Sequence, residues 1–329
     1  MILLARFFPP ARCGAGNRSR AGRGALAFCR LGHEPLEDRR VLSAVTVTNN
    51  LDLVNGDTTS IAALLANDGG DGIALREAIE AANNTLGADE ITFDFGHDGP
   101  ETILLGLGEL EITDDVTITG DGPDLMTIDA QQNSRIFNIT AASGDFTLAG
   151  MTITGGRTTG NFERGGAISS QFSAVVDIDG CRVTDSSTSG IQSWGGGIFV
   201  RHRLSISAST ISGNSTTGDD AVGGGVFARY LSLRQSTVSG NSTSGADADG
   251  GGIFSAFELT IEDSTISGNS VAGAGTMGGG VLSRLAGATI SRSTIVDNHV
   301  AARCRHWWDL DFGKRVVYRL DHRGQYRGR

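Results

Sequence analysis

The sequence predicts an all-β chain wound as a single-stranded, right-handed parallel β-helix with an N-terminal capping helix. Three observations predict it. A glycine-led motif recurs at a fixed period, the residues inside each period favour strands and tight turns, and no long helical pattern runs through the repeats. Aligned on the apolar residue after the glycines, Ile168 follows Gly-Gly-Ala, while Ile198, Val226, Ile253 and Val281 follow Gly-Gly-Gly, at spacings of 30, 28, 27 and 28. A second anchor, Ile153, Val183, Ile211, Val238, Ile266 and Ile295, keeps step at 30, 28, 27, 28 and 29. A fixed period of about 20–50 residues marks a solenoid or an array.

Each repeat reads as three short strands. In one copy these are GGGIFV from Gly195, RLSISA from Arg203 and STISGNS from Ser209, with Leu204, Ile206 and Ala208 alternating before the phase changes at a corner. Ser, Thr, Ile, Val and Gly favour strands and turns over helices. One coil cannot bury its apolar face alone, whereas stacked coils build a continuous core. At about 4.8 Å per coil, six coils rise roughly 30 Å. The hand follows from the rule for parallel crossovers.

The elements follow in order. Residues 1–44 carry eight arginines and three acids, with short apolar patches and a small-residue VLSA at Val41–Ala44, and read as an export leader or a basic tail. Residues 45–112 form an N-terminal cap. Within it Ile73, Ala74, Ala78, Ile79 and Ala82 fall near one face of a helix over 74–83, suited to covering the open end of the first coil. Strands follow at Glu90–Phe95, Thr102–Leu105, Val116–Thr119 and Met126–Asp129. Residues 113–302 are the β-helix proper.

Residues 303–329 depart from the repeat. The period places the next glycine pair and its apolar residue near 309, where the chain reads Trp307, Trp308, Asp309. Tryptophan has a single codon, and one base later Trp-Trp-Asp reads Gly-Gly followed by Ile or Thr. The tail is therefore expected to be frameshifted after about Ala302, with the remaining coils in the other frame.

Charge narrows the function classes. Residues 45–302 hold 11 basic and 31 acidic residues, a net charge near −20, which repels nucleic acid and anionic lipid. Only Cys181 of the four cysteines lies in this region, so no disulfide framework is indicated. No apolar run approaches the roughly 18 residues of a transmembrane helix.

Three constellations carry candidate roles. Asn214, Asn241, Asn269 and Asn298 recur at 27, 28 and 29 residues, where stacked amides can bond the coils above and below, while Gly156 and Ser186 hold the matching places in earlier coils. Asp219 and Asp220 lie in one loop and Asp247 and Asp249 in the next. They read either as oxygen ligands for Ca²⁺ or as solvated turn residues. Arg201, Arg229, Ala256 and Arg284 stand three residues past the ladder position, with Tyr230 beside Arg229, a pattern suited to an acidic polysaccharide or to a soluble outer face. The histidines do not cluster, and no H-E-x-x-H, G-x-S-x-G or P-loop occurs.

Two motifs carry a resemblance. Gly165–Ile168 and its four relatives, with Ile211-x-x-Asn214, resemble the repeats of the polymorphic outer-membrane protein family, which pairs GGA[ILV] with F-x-x-N; here Ile or Val stands for the Phe. GIALREAIEAAN at Gly72–Asn83 resembles the CSLREA segment found before many bacterial right-handed β-helices, with Ile73 and Ala74 in place of Cys-Ser. LEDRRVLSA at Leu36–Ala44 resembles a leader motif of large bacterial surface proteins. Together these span most of residues 36–302. The resemblance implies a pectate-lyase-like solenoid, export to the cell surface or outer membrane, and a C-terminal barrel or anchor. The expected function is adhesion-type, structural or binding, without evident catalysis. The alternative is a β-helix that binds or cleaves carbohydrate, as a polysaccharide lyase or hydrolase.

Overall fold

In a computed structural model, residues 42–285 and 287–301 are described, together with the backbone of Val316–Val317. Residues 1–41 of the expected leader and, Val316–Val317 apart, the tail expected over 303–329 lie outside the described residues. The chain winds as parallel coils that contribute to three sheets of 13, 9 and 6 strands.

Registers hold both anchor rows in line. Ile168, Ile198, Val226, Ile253 and Val281 are successive partners in the long sheet. Ile153, Val183, Ile211, Val238, Ile266 and Ile295 do the same in the nine-stranded sheet. All are buried in one continuous core, where each aliphatic side chain contributes about 1.5–3 kcal/mol relative to exposure.

The strand division differs from the sequence reading. The first two expected strands are one bent strand in three coils, at Ile198–Ser207, Val226–Arg234 and Ile253–Glu262. A short strand follows the asparagine corner and builds the six-stranded sheet. The stack is also longer than the six coils of the motif. Glu101–Leu104 and Met126–Asp129 add two earlier strands to the nine-stranded sheet, with Ile103, Ile128 and Ile153 in register. Those coils advance by 25 residues and bypass the six-stranded sheet, which starts at Arg157. The shorter period hides them from an alignment on 28.

Two corners per coil follow one design. Ala208, Gln235, Asp263 and Arg292 take positive φ, and the next residues, Ser209, Ser236, Ser264 and Ser293, are buried. Each serine hydroxyl accepts the backbone N–H of its counterpart one coil below, as in Ser209 N to Ser236 Oγ at 3.1 Å. At the other corner Gly213, Gly240, Gly268 and Asp297 take positive φ, and the next residue is the ladder asparagine. The left-handed conformation therefore belongs to the preceding residue and not to the asparagine. Asn214 donates to Asn241 Oδ1 at 3.0 Å, Asn241 to Asn269, and Asn269 to Asn298, while each amide also donates to a carbonyl of the preceding coil.

At the N-terminal end, Ser43–Val47 pairs with Asp89–Phe93 and opens the long sheet. Ser43 and Ala44, placed in the leader by the sequence reading, are its first two residues. Helix α1 (Ile61–Ala66) is capped by Ser60, whose hydroxyl accepts from Ala63 N. Helix α2 (Leu75–Asn83) buries Leu75, Ala78, Ile79, Ala81 and Ala82 in the common core. The two charged residues of its LREA segment are pinned internally. Glu77 is fully buried and accepts backbone N–H from Asn55, Gly56 and Ala74. Arg76 forks onto Asp52 and donates to the carbonyls of Gly108 and Glu109. These bonds tie the loops before and after α2 to the stack.

Among the described residues no helix is long and apolar enough to cross a membrane. Val316–Val317 pairs antiparallel with Thr294–Val296.

Candidate functional site

The bend of the long strands is where side chains with chemistry collect. Between the two straight segments, Ile198–Ser207 has two residues, Arg201 and His202, while Val226–Arg234 has only Arg229. The register shifts there on both sides. This bulge accounts for the single 27-residue coil in the repeat, because Val226 to Ile253 is one residue short at that point. A bulge re-aims the side chains beside it.

Two aromatic rows flank the bend. Phe199, Phe227 and Phe254 stack with centroids 5.0 and 5.5 Å apart, and Trp194 lies 5.1 Å from Phe227. Since Ile198 and Val200 point into the core, Phe199 between them faces out of the stack. These phenylalanines are nevertheless buried, covered by Val222, Trp194 and Leu282 as a satellite core. Trp194 is anchored by its indole N–H on Asp220 O at 3.0 Å. The second row runs His202, Tyr230, Phe257, with Tyr230 stacked on Phe257 at 5.4 Å and His202 edge-on at 6.1 Å. It is only half-buried.

Arginines border both rows. Arg164 lies over Trp194 and Phe199 at 4.3 and 5.0 Å. Burial, and then the charge of Arg201, make Arg164 give up its proton more readily than a free guanidinium. Arg229 lies 5.8 Å from the Phe257 ring. Among the described residues Arg76, Arg135, Arg182, Arg234 and Arg292 are each ion-paired, whereas Arg157, Arg164, Arg201, Arg203, Arg229 and Arg284 are not. Apart from Arg157 on the six-stranded sheet, the unpaired arginines of the described residues lie along this bend and the loop beside it.

The structure thus brings Arg201, Arg229 and Tyr230 onto one face. Arg284 stands exposed two coils from Arg229, across the coil that carries Ala256. Sequence reading missed Arg164, Trp194, His202 and Phe257. The recurring Ile-Phe and Val-Phe pairs were a signal for the phenylalanine row; the loop residues Arg164 and Trp194 obey no period.

The four aspartates take other places. Asp219 Oδ1 accepts Ala246 N at 2.8 Å and Asp249 Oδ1 accepts Met277 N at 2.7 Å, each bonding the next loop of the stack. Asp220 and Asp247 hold positive φ at equivalent turns. Among the described residues no group of three His, Cys, Asp or Glu side chains is placed to hold a metal ion. Cys181, the one cysteine among the described residues, is buried, and burial pushes its thiol up to about 11.

The coils, their inward ladders and their outward rows define a right-handed parallel β-helix. Residues 135–310 match the family model described as the right handed beta helix region, and the chain belongs to that family. No curated protein and no solved structure shows a significant match.

Proposed function

We propose that this is an exported or cell-surface β-helix with an adhesion-type binding role and no catalytic one. The observation that supports it is the face built from Arg201, Arg229 and Tyr230 with His202 and Phe257, where unpaired guanidinium groups stand beside accessible rings. Forked donors and an aromatic surface suit recognition of an acidic polysaccharide. A cleaving site would call for an acid and a base converging on one reacting atom; the titratable groups here besides the arginines and Tyr230 are His202 and the exposed Glu258, in register with Tyr230, and no hydrogen bond or ion pair joins those two.

The alternative, a polysaccharide lyase or hydrolase on the same face, draws on the arginines together with His202 and Glu258. A glycan array, followed by assays on uronate polymers for unsaturated products by absorbance and for new reducing ends, separates the two. Salt-sensitive retention of acidic glycans with neither an absorbance gain nor new reducing ends is the expected result. New ultraviolet absorbance that is lost in Arg229→Gln would overturn the non-catalytic reading.

A further inference from the structure

The outward phenylalanine row stops abruptly. Ser169 is the register partner of Phe199, so a serine stands where a fourth phenylalanine would continue the stack. The Ser169 side chain is fully buried, and its hydroxyl has no hydrogen-bond partner. The guanidinium of Arg164 covers the adjoining rings, and its buried Nε is also without a partner. Buried polar atoms of a native fold are normally satisfied, so two orphans against one ring ask for an explanation.

The coil below supplies one. Asn138 is the next residue of the same outward row, in register with Ser169. There the carboxylate of Glu109 is held by Asn138 Nδ2 at 2.8 Å and by Arg135 Nη1 at 2.5 Å. Arg135 in turn donates through Nε to the carbonyls of Arg164 and Gly165, which places the two arginines at adjacent levels. One level of the stack therefore has an arginine, a polar row residue and a carboxylate. The next has an arginine and a polar row residue, and Glu163 is turned away onto Thr159 N and Gly160 N.

We infer that Arg164 and Ser169, walled by Trp194 and Phe199, form a subsite for a carboxylate carried by a saccharide, with Arg201 at its edge. The guanidinium would donate to one carboxylate oxygen and the hydroxyl to the other, repeating with an external partner the Glu109 arrangement, in which Arg135 and Asn138 give one bond each. Arg135 already neutralises Glu109, so that carboxylate does not oppose the ligand. The inference rests on the binding role proposed above and adds to it the residues that would hold the ligand's carboxylate.

The test is a titration of the full chain, ¹⁵N-labelled, with trigalacturonate, and with maltotriose as the uncharged probe. The Trp194 indole resonance, identified by Trp194→Phe, is expected to shift with trigalacturonate only. Arg164→Gln should weaken binding at least tenfold, while Arg157→Gln, an exposed arginine on the six-stranded sheet, leaves it unchanged. Ser169→Phe, which continues the ring row, should block binding while keeping Arg164. Binding that survives in folded Arg164→Gln, or that leaves the Trp194 resonance unmoved, would overturn the subsite while sparing a binding role elsewhere on the face. Absence of trigalacturonate binding overturns the subsite too; the broader role then stands or falls on the glycan array.

Discussion

Asn241 occupies the space that a side chain on Gly225 would need: a Cβ built there falls 2.9 Å from Asn241 Cγ. The same contact joins Gly197 to Asn214 and Gly252 to Asn269. Together with the Gly252 carbonyl, 2.7 Å from the Cβ built on Gly225, it accounts for that third glycine of the motif. The first, such as Gly223 at φ +73, needs the left-handed conformation. The second would press a Cβ into backbone carbonyls of the neighbouring coil. The chain varies this contact itself, since the coil that carries Ala167 in place of the third glycine has Ser186 in place of the asparagine.

Gly225→Ala is accordingly expected to destabilise by about 1–3 kcal/mol, the usual cost of overpacking. The double change with Asn241→Ser should recover part of that loss. Denaturant unfolding of the two single variants and the double variant checks it. Strictly additive losses would show that the two positions are not coupled.

The two corner ladders should differ in strength. Asn241 accepts from Asn214 N and Nδ2, and it donates to Asn269 Oδ1 and Ile211 O. Ser236 accepts from Ser209 N and donates to Arg234 O. With roughly 0.5–1.5 kcal/mol per bond, Asn241→Ala should lower the melting temperature more than Ser236→Ala. Ser244→Ala, in the strand past the asparagine corner, should be near neutral. Equal melting temperatures for all three variants would argue against the ladders as stabilising elements.

Two carboxylates at the N-terminal end should respond to pH in opposite directions. Burial pushes Asp89 up to about 6 from an ordinary 3.8, opposed by Ser43 and aided by the charge of Asp114. The folded state then holds a proton that the unfolded state releases. Its contribution is fully present below about pH 4 and is lost as pH rises through about 6. Asp89→Asn should therefore raise the melting temperature at pH 7 relative to the parent, with the gain shrinking towards pH 4. A gain of equal size at both pH values would contradict this.

For Asp52, burial opposes ionisation, but bonds from Arg76, Leu107 and Gly106 outweigh it and hold the carboxyl below its ordinary range. That contribution is present above the ordinary value and is lost as pH falls through the lowered one. Arg76→Met leaves Asp52 buried without its partner and should cost about 3–5 kcal/mol at pH 7, and less in acid. Circular dichroism melts at pH 3 and pH 7 decide the point; an equal loss at both would remove the ion pair from the explanation.

The sequence by itself determined the coil. Parallel stacking is a one-dimensional rule: what is buried at Ile198 is buried again at Val226 and Ile253, so period, anchors and the asparagine spacing could all be read along the chain. The register then brings those asparagines into bonding distance, because a ladder needs only the same residue at the same place in successive coils. What only the tertiary structure decided lies off that period. The two 25-residue coils, the burial of Arg76 and Glu77, and the meeting of Arg164 with Trp194 across 30 residues depend on loops whose lengths differ from coil to coil. The phenylalanine row lies on the repeat, yet it was not singled out from the sequence. That it is covered, and that it ends at an unbonded serine beside an arginine, follows from which loop folds over which coil, and loop contacts carry no repeat from which to read them.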